Sequence, residues 1–268
     1  MKQQNLKSGD AQNPLWKNFA AYREFRWSKL NTPQFSHLWY LLYWPLYGTF
    51  FYLVEQIWTD RDWLYMWCPV DDVIPFCEWF VFPYMFWFVF LCGMLFFTLL
   101  FEPRSFRRMM VFIAITYSVT MIVYLICPTA QNLRPDLSTL GRDNVLVRFM
   151  EDFYAFDTNT NVCPSIHVIG SVAVLFTGMN SEFFRKRTGW QVFFWITTIL
   201  ISISTVFLKQ HSILDVLWAI PLCAAAYPFA FCPEAVVKKF LRIRMKMRAR
   251  RNKKRLLPAD SGEWDEKK

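Results

Sequence analysis

The sequence predicts an all-α integral membrane protein, built as a bundle of six transmembrane helices, and three observations support this prediction. The first is composition, because 54% of the 268 residues are hydrophobic and 19% are aromatic. Soluble domains rarely carry so many aromatic side chains, whereas lipid accepts Phe in the hydrocarbon layer and Trp and Tyr at its interfaces. The second observation is a series of long uncharged runs, and the third is the sign of the charge between them.

The uncharged runs give the predicted spans in chain order, because about 20 apolar residues cross the hydrocarbon layer of a bilayer. The predicted spans lie within 30–54, at 79–101, at 109–127, within 158–181, at 189–208, and from Asp215 to near Pro233. Together they form one transmembrane domain, residues 30–235. An interfacial arm, residues 1–29, precedes this domain, and a basic tail, residues 236–268, follows it.

The charges between the runs predict the topology. Basic clusters at 102–108 and 182–187 separate the second span from the third and the fourth from the fifth. By the positive-inside rule these clusters and both termini are cytoplasmic, and we expect the plasma membrane as the location. The acidic loop 55–78, the connection 128–161 and the turn around Lys209 then lie on the extracytoplasmic face.

The net charge of +9 is concentrated in the tail, where eleven of the 30 Lys and Arg residues lie between Lys238 and Arg255. Their position beside an apolar run predicts contact with anionic lipid headgroups and not with nucleic acid. The seven Cys form neither an even disulfide framework nor a metal-binding spacing. Cys68 and Cys77 could pair, but two free thiols are the favoured interpretation.

The turn between the fifth and sixth runs contains a candidate catalytic pair. His211 and Asp215 are four residues apart and share one face if the segment is helical. The carboxylate can then orient the imidazole and stabilise its positive form, as a nucleophile or general base requires. The alternative is an interfacial histidine followed by a helix-starting aspartate, and the pair alone does not decide between them.

Two other connections on the same predicted face carry groups suited to an anion. Arg134 can bind phosphate oxygens or simply anchor its helix at the lipid boundary. Ser165 can cap the fourth helix, whose free N–H groups can bind an anion, and His167 follows in the first turn as a second acid–base group or a structural residue. An anion clamp, an oriented nucleophile and an acid–base group together predict phosphoryl transfer without a metal.

These segments resemble the three-part signature of the type 2 phosphatidic acid phosphatase superfamily. The matching residues are Arg134-Pro135, then Pro164-Ser165-Ile166-His167, then Ser204 followed by His211 and Asp215. The resemblance runs from about the third span to the sixth, and implies a six-helix fold with its active site at the extracytoplasmic face. It implies that His211 is the nucleophile, that Asp215 orients it, and that His167 is the general acid and base. It further implies that the substrate phosphate is bound by Arg134, Ser165 and Ser204.

Three positions depart from the superfamily pattern. Cys127 stands in place of a lysine, Thr205 in place of an arginine, and Ile166 in place of a glycine. Because two phosphate-binding cations are missing, we predict Lys209 as a replacement, with Arg142 and Arg148 as alternatives. A Pro-Ser-aliphatic-His with a His-x-x-x-Asp is also similar to the inositol phosphorylceramide synthase branch, which transfers a phosphorylated headgroup between lipids.

The resemblance implies a metal-independent phosphatase that acts on a lipid phosphate or diphosphate and uses no cofactor. The alternative is a phosphotransferase of the inositol phosphorylceramide synthase type, for which loop 136–160 would help to hold a lipid or polyol alcohol. A third alternative is a non-catalytic lipid-binding or transport protein. The expected partners are a phosphorylated lipid substrate and, at the basic tail, anionic headgroups, while the oligomeric state is not predicted.

Overall fold

The protein is a helical bundle in a computed structural model that describes residues 14–57, 61–240, 242, 244 and 245. Most of the basic tail and the first 13 residues therefore lie outside the described part, and the headgroup prediction for the tail stays a prediction. The helices are α1 (Pro14–Ala21), α2 (Tyr43–Ile57), α3 (Pro69–Val73), α4 (Val81–Phe101), α5 (Pro103–Ile126), α6 (Val145–Phe156), α7 (Ile166–Asn180), α8 (Thr188–Phe207) and α9 (Ile213–Phe231). Two short strands, β1 (Leu64–Tyr65) and β2 (Thr129–Ala130), pair in parallel.

Four helical segments in the described part are long and apolar enough to cross a membrane: Glu78–Phe101, Pro103–Ile126, Thr188–Phe207 and Ile213–Phe231. They make the chain an integral membrane protein. Helices α2 and α7 have 15 residues each, which corresponds to about 22 Å of helix against a hydrocarbon layer of about 30 Å. The total of six spans therefore stays a prediction.

The uncharged run 30–54 is α-helical only in its second half. A 3₁₀ segment, Ser36–Leu42, precedes α2, and His37 within it is buried. The Nε2 atom of His37 lies 2.6 Å from the hydroxyl of Tyr22, which also donates to the carbonyl of Leu99 at 2.7 Å. These bonds hold the segment against the end of α4, and the helix starts later than the run of uncharged residues.

The basic stretch between the second and third predicted spans is helical rather than a loop. Helix α4 ends at Phe101 and α5 begins at Pro103, so the arginines of this stretch lie in the first turns of α5. Proline is well suited to the first position of a helix, where no N–H bond is lost. Glu102, between the two helices, accepts a hydrogen bond from Ser105 at 2.6 Å. The predicted start at Met109 was therefore too late.

Helix α7 is the centre of the bundle and packs against α4, α5, α8 and α9. Two glycines permit this close packing. A Cβ atom at Gly170 would lie 2.9 Å from both the indole nitrogen of Trp87 and the hydroxyl of Tyr117. A Cβ atom at Gly178 would overlap the ring of Phe194. The first turn of α7 is consequently held from several sides.

One end of the bundle gathers the starts of α4, α7 and α9 and the ends of α5 and α8. The amide of Cys77 donates to the carbonyl of Phe207 at 3.1 Å, and the hydroxyl of Tyr124 donates to the carbonyl of Pro164 at 2.9 Å. The amide of Ser165 reaches the carbonyl of Asp215 at 3.2 Å. The three motif-bearing segments therefore meet at one end, and its extracytoplasmic orientation stays a prediction from the loop charges.

Candidate active site

His211 and Asp215 form a buried pair at this end of the bundle. The Nδ1 atom of His211 lies 3.0 Å from Oδ2 of Asp215. The same Oδ2 accepts the backbone N–H of Ser212, also at 3.0 Å, in the capping box that starts α9. His211 precedes the helix, so the pair meets across the helix start and not along one helical face. Asp215 therefore fills both of the alternative roles, because it caps the helix and is also the partner of His211.

His167 lies in the first turn of α7, next to His211. The centroids of the two imidazole rings are 5.6 Å apart. The rings of Tyr84 and Trp87 flank His167, each with its centroid 4.6 Å away. The Nδ1 atom of His167 is buried and has no hydrogen-bond partner. A second imidazole with an unpaired nitrogen is thus fixed beside the first.

The start of α7 is left open for an anion. Ser165 occupies the N-cap position as predicted, but its side chain makes no cap bond, and its buried hydroxyl has no partner. The start of α9 differs, because Ser212 and Asp215 both cap it. An uncapped helix start has free N–H groups and a partial positive charge. These groups and the Ser165 hydroxyl can together bind phosphate oxygens.

Arg134 is fixed beside the residue that precedes His211. Its guanidinium donates to the carbonyls of Tyr154, Asp157 and Thr158 at 2.8 to 3.0 Å and to the side-chain oxygen of Gln210 at 2.7 Å. The Nε atom of Arg134 is buried and has no partner. The guanidinium is thus oriented rigidly, with one donor still available.

Charges around Arg134 are partly balanced. Burial lowers the pKa of Arg134, and the neighbouring Asp157, whose carboxylate lies 3.9 Å from the guanidinium, opposes this shift. An arginine retains its charge under such conditions, because the delocalised guanidinium is the most basic of the side-chain groups. Burial also raises the pKa of Asp157, and the positive charge of Arg134 counteracts that rise. Among the predicted cations, Arg134 is the one whose side chain is hydrogen-bonded to Gln210, the residue directly before His211.

Lys209 is bound to α3. Its ammonium donates to the backbone carbonyl of Asp71 at 2.6 Å. Burial lowers the pKa of Lys209, while the carboxylates of Asp71 and Asp72 oppose the shift. Its predicted role in phosphate binding stays a prediction, since the hydrogen bond of its ammonium is to the carbonyl of Asp71.

The other predicted phosphate ligands also have partners elsewhere. Arg142 forms two hydrogen bonds to Glu78, at 2.8 and 2.9 Å. Arg148 pairs with Asp143 at 2.7 and 2.8 Å. The hydroxyl of Ser204, buried within α8, donates to the carbonyl of Ile201 at 2.7 Å. The hydrogen bonds that the structure gives these three groups are with residues other than the two histidines, and their predicted role in phosphate binding stays a prediction.

Two residues at the site were not predicted from the sequence. Gln210 accepts from Arg134, and its side-chain nitrogen is buried without a partner, so it offers a donor beside the guanidinium. Its position in the sequence, directly before His211, could have indicated that it lies at the site. Asp71 accepts from the hydroxyl of Ser212 at 2.6 Å. No local pattern indicates this contact, because the two residues are 141 positions apart.

An oriented histidine, a second histidine and an arginine are groups that nucleophilic transfer of a phosphoryl group can use. Residues 108–232 match the family model described as the PAP2 superfamily. This segment belongs to the superfamily, whose members are phosphatases or phosphotransferases, and the resemblance seen in the sequence is confirmed. The match extends from α5 to the end of α9 and leaves the branch open. No curated protein and no solved structure matches the chain.

Proposed function

We propose that the protein is a membrane lipid phosphatase that hydrolyses a phosphate or diphosphate through a phosphohistidine. The observation that carries this proposal is the His211–Asp215 pair, with Nδ1 and Oδ2 3.0 Å apart and the ring of His167 5.6 Å from that of His211. The plasma membrane is the proposed location, with the site on its extracytoplasmic side.

In the first step, Nε2 of His211 attacks phosphorus, because Nδ1 is engaged by Asp215. An N–P bond forms and the bond from phosphorus to the lipid oxygen breaks. His167 donates a proton to that leaving oxygen, and Asp215 stabilises the positive imidazole. Arg134, the hydroxyl of Ser165 and the open start of α7 bind the non-bridging oxygens.

In the second step, His167 accepts a proton from water. The resulting hydroxide attacks phosphorus, the N–P bond breaks, and inorganic phosphate leaves. The same imidazole serves both half-reactions, since it is neutral after the first and ready to act as a base. Every proton transfer and phosphate contact in these steps is assigned to a protein group, so the proposal requires no metal.

The test is phosphate release by purified protein from a panel that includes phosphatidic acid and polyprenyl diphosphate, in buffer that contains a chelator. We expect His211→Ala to lower turnover about a thousandfold or more, because removal of a nucleophile leaves only binding effects. The matched control is His37→Gln at the other end of the bundle, which should retain activity per folded molecule. Full turnover by His211→Ala would contradict the mechanism, and a folded protein inactive on every substrate would favour the lipid-binding alternative.

A row of aromatic rings favours phosphoryl transfer to an alcohol as a second candidate function. From His167 the row continues through Tyr84 to Phe153, with ring centroids 5.6 Å apart, and on to Phe149 at 6.2 Å. Phe149 lies on α6 within the predicted acceptor loop and is 40% exposed. These rings would form an apolar wall for a second lipid beside the acid–base residue. Product analysis with a lipid alcohol present separates the two functions, since a transferase yields a new phospholipid in place of inorganic phosphate.

A further inference from the structure

We propose that Asp71, which lies before the matched segment in the connection between α2 and α4, is a positioning residue for His211. This inference rests on the function proposed above. It assigns a role to the acidic loop 55–78, in which the superfamily signature has no residue.

Asp71 binds the chain on both sides of His211. Its Oδ2 accepts the hydroxyl of Ser212 at 2.6 Å, and its Oδ1 accepts the amide of Ile213 at 2.9 Å. Its backbone carbonyl accepts the ammonium of Lys209 at 2.6 Å. One residue therefore holds the turn two residues before and one residue after the proposed nucleophile.

The carboxylate of Asp71 is well suited to hold a loop because it is 1% exposed and binds backbone and hydroxyl donors. A third donor, the amide of Cys68, reaches its Oδ2 at 2.9 Å and ties it to the start of α3. Hydrogen bonds to an ionised oxygen are stronger than those between neutral groups. A buried carboxylate also requires such partners, so displacement of the loop would be costly.

The conformation of this turn requires contacts from other segments of the chain. The φ angle of Lys209 is 52°, in the left-handed region that a residue with a side chain rarely adopts unless its surroundings hold it there. The amides of Gln210 and His211 both donate to the carbonyl of Thr205, at 3.0 and 3.1 Å, which closes the turn on the side of α8. Asp71 closes it on the side of α9.

The same network reaches the imidazole in two further steps. Ser212, bound by Asp71 through its hydroxyl, donates its N–H to Oδ2 of Asp215, and that oxygen contacts Nδ1 of His211. Because transferred groups must be aligned to within a fraction of an ångström, a shift of this turn would reduce the rate of attack more than the affinity for substrate.

The test compares Asp71→Asn with Asp72→Asn. Asp72 lies in the same helix and is exposed, and its carboxylate accepts the indole N–H of Trp67 at 3.0 Å, so its substitution makes the same change of charge without contacting the turn. An asparagine at position 71 presents one oxygen in place of two. We expect Asp71→Asn to lower kcat and the single-turnover rate of phosphohistidine formation at least tenfold, with KM changed less than twofold. Asp72→Asn should leave both constants within twofold.

Hydrogen exchange supplies a readout that does not depend on turnover. In Asp71→Asn the amides of residues 209–213 should exchange faster than in the wild type, while those in the middle of α5 should not change. Unchanged exchange at 209–213 would show that the carboxylate does not hold the turn, and the proposal would fail. Faster exchange with an unchanged kcat would show a structural contact only, and the positioning role would fail.

The outcomes also separate this proposal from the proposed function. If the wild type forms phosphohistidine and Asp71→Asn forms it at the same rate, the positioning role alone is wrong. If the wild type forms none with any substrate of the panel, the proposed function is wrong and the positioning role falls with it. An equal loss in Asp71→Asn and Asp72→Asn would show a general effect of charge and would also overturn the proposal.

Discussion

A single oxygen of Asp215 serves both the fold and the candidate site. It accepts one hydrogen bond from the start of α9 and another from His211. An asparagine at this position could still turn its oxygen toward one of these donors. Because its amide is neutral, it would stabilise a positive imidazole less than the carboxylate does. The helix start and the His211–Asp215 pair are therefore coupled at one atom.

We expect Asp215→Asn to lower kcat about a hundredfold or more, with a smaller change in KM, because the orienting charge is lost. Steady-state kinetics on the best substrate of the panel would measure this. The matched control is Asp152→Asn, an exposed aspartate of α6 whose substitution should leave kcat within twofold. Equal activity of the wild type and Asp215→Asn would show that the carboxylate is a helix cap alone.

Gln210 offers a second test at the same scale. If its free nitrogen donates to the substrate phosphate, Gln210→Glu should lower kcat/KM at least about tenfold, because a hydrogen bond to a charged group is worth about 1.5–3 kcal/mol and the new carboxylate also repels phosphate. If it only supports Arg134, the glutamate keeps that acceptor and activity should be retained. Gln210→Leu, which removes both functions, should be impaired in either case, and kinetics on the three proteins decides between the two roles.

The sequence predicted the residues whose chemistry repeats at recognisable spacings, namely His167, His211, Asp215 and Arg134. The structure brings these four groups to one end of the bundle. The sequence did not predict what each cation binds, because a lysine beside the histidine looks suitable on charge alone. The hydrogen bond from the ammonium of Lys209 to the carbonyl of Asp71 shows that it is bound to α3.

At the scale of the elements, the packing of α7 depends on glycine. A methyl group at Gly178 would overlap Phe194 of α8, which is 3% exposed and has little room to move. We expect Gly178→Ala to destabilise the protein by about 1–3 kcal/mol, as overpacked cores do. Thermal unfolding in detergent would show a lower midpoint. Gly93→Ala in α4 is the control, because nothing lies within 4 Å of its added methyl group, and its midpoint should not fall.

The sequence predicted α4, α8 and α9 well because each coincides with an uncharged run of spanning length. The prediction was less accurate where charged residues belong to a helix and where uncharged residues do not. The arginines before Met109 are helical because Pro103 and Glu102 start α5 early, so absence of charge was not a guide to the helix boundary. Residues 30–42 are uncharged yet not α-helical, because His37 and its partners hold them at the end of the bundle.

At the scale of the whole molecule, the orientation in the membrane can be tested with introduced cysteines. Thr139 and Val73 are exposed near the site end, and Lys186 is exposed near the other. In a variant without the native Cys68, Cys77, Cys92, Cys127 and Cys232, an impermeant thiol reagent added to intact cells should label Thr139→Cys and Val73→Cys. Lys186→Cys should react only after the membrane is permeabilised. The reverse pattern would place the site on the cytoplasmic side and contradict the positive-inside assignment.

The segment that carries the signature is shorter than the unit that builds the site. Residues 108–232 contain both histidines and Arg134, but the rings beside His167 come from α4 and the carboxylate beside Ser212 comes from α3. A fragment cut at residue 108 would keep every motif and lose one wall of the site. A chimera joined at residue 108 would have the same defect. Its α4 rings and its α3 carboxylate would come from one protein, while the histidines and the turn that they contact would come from another. Residue 108 is thus a poor place to divide this protein, however clearly the motifs mark it.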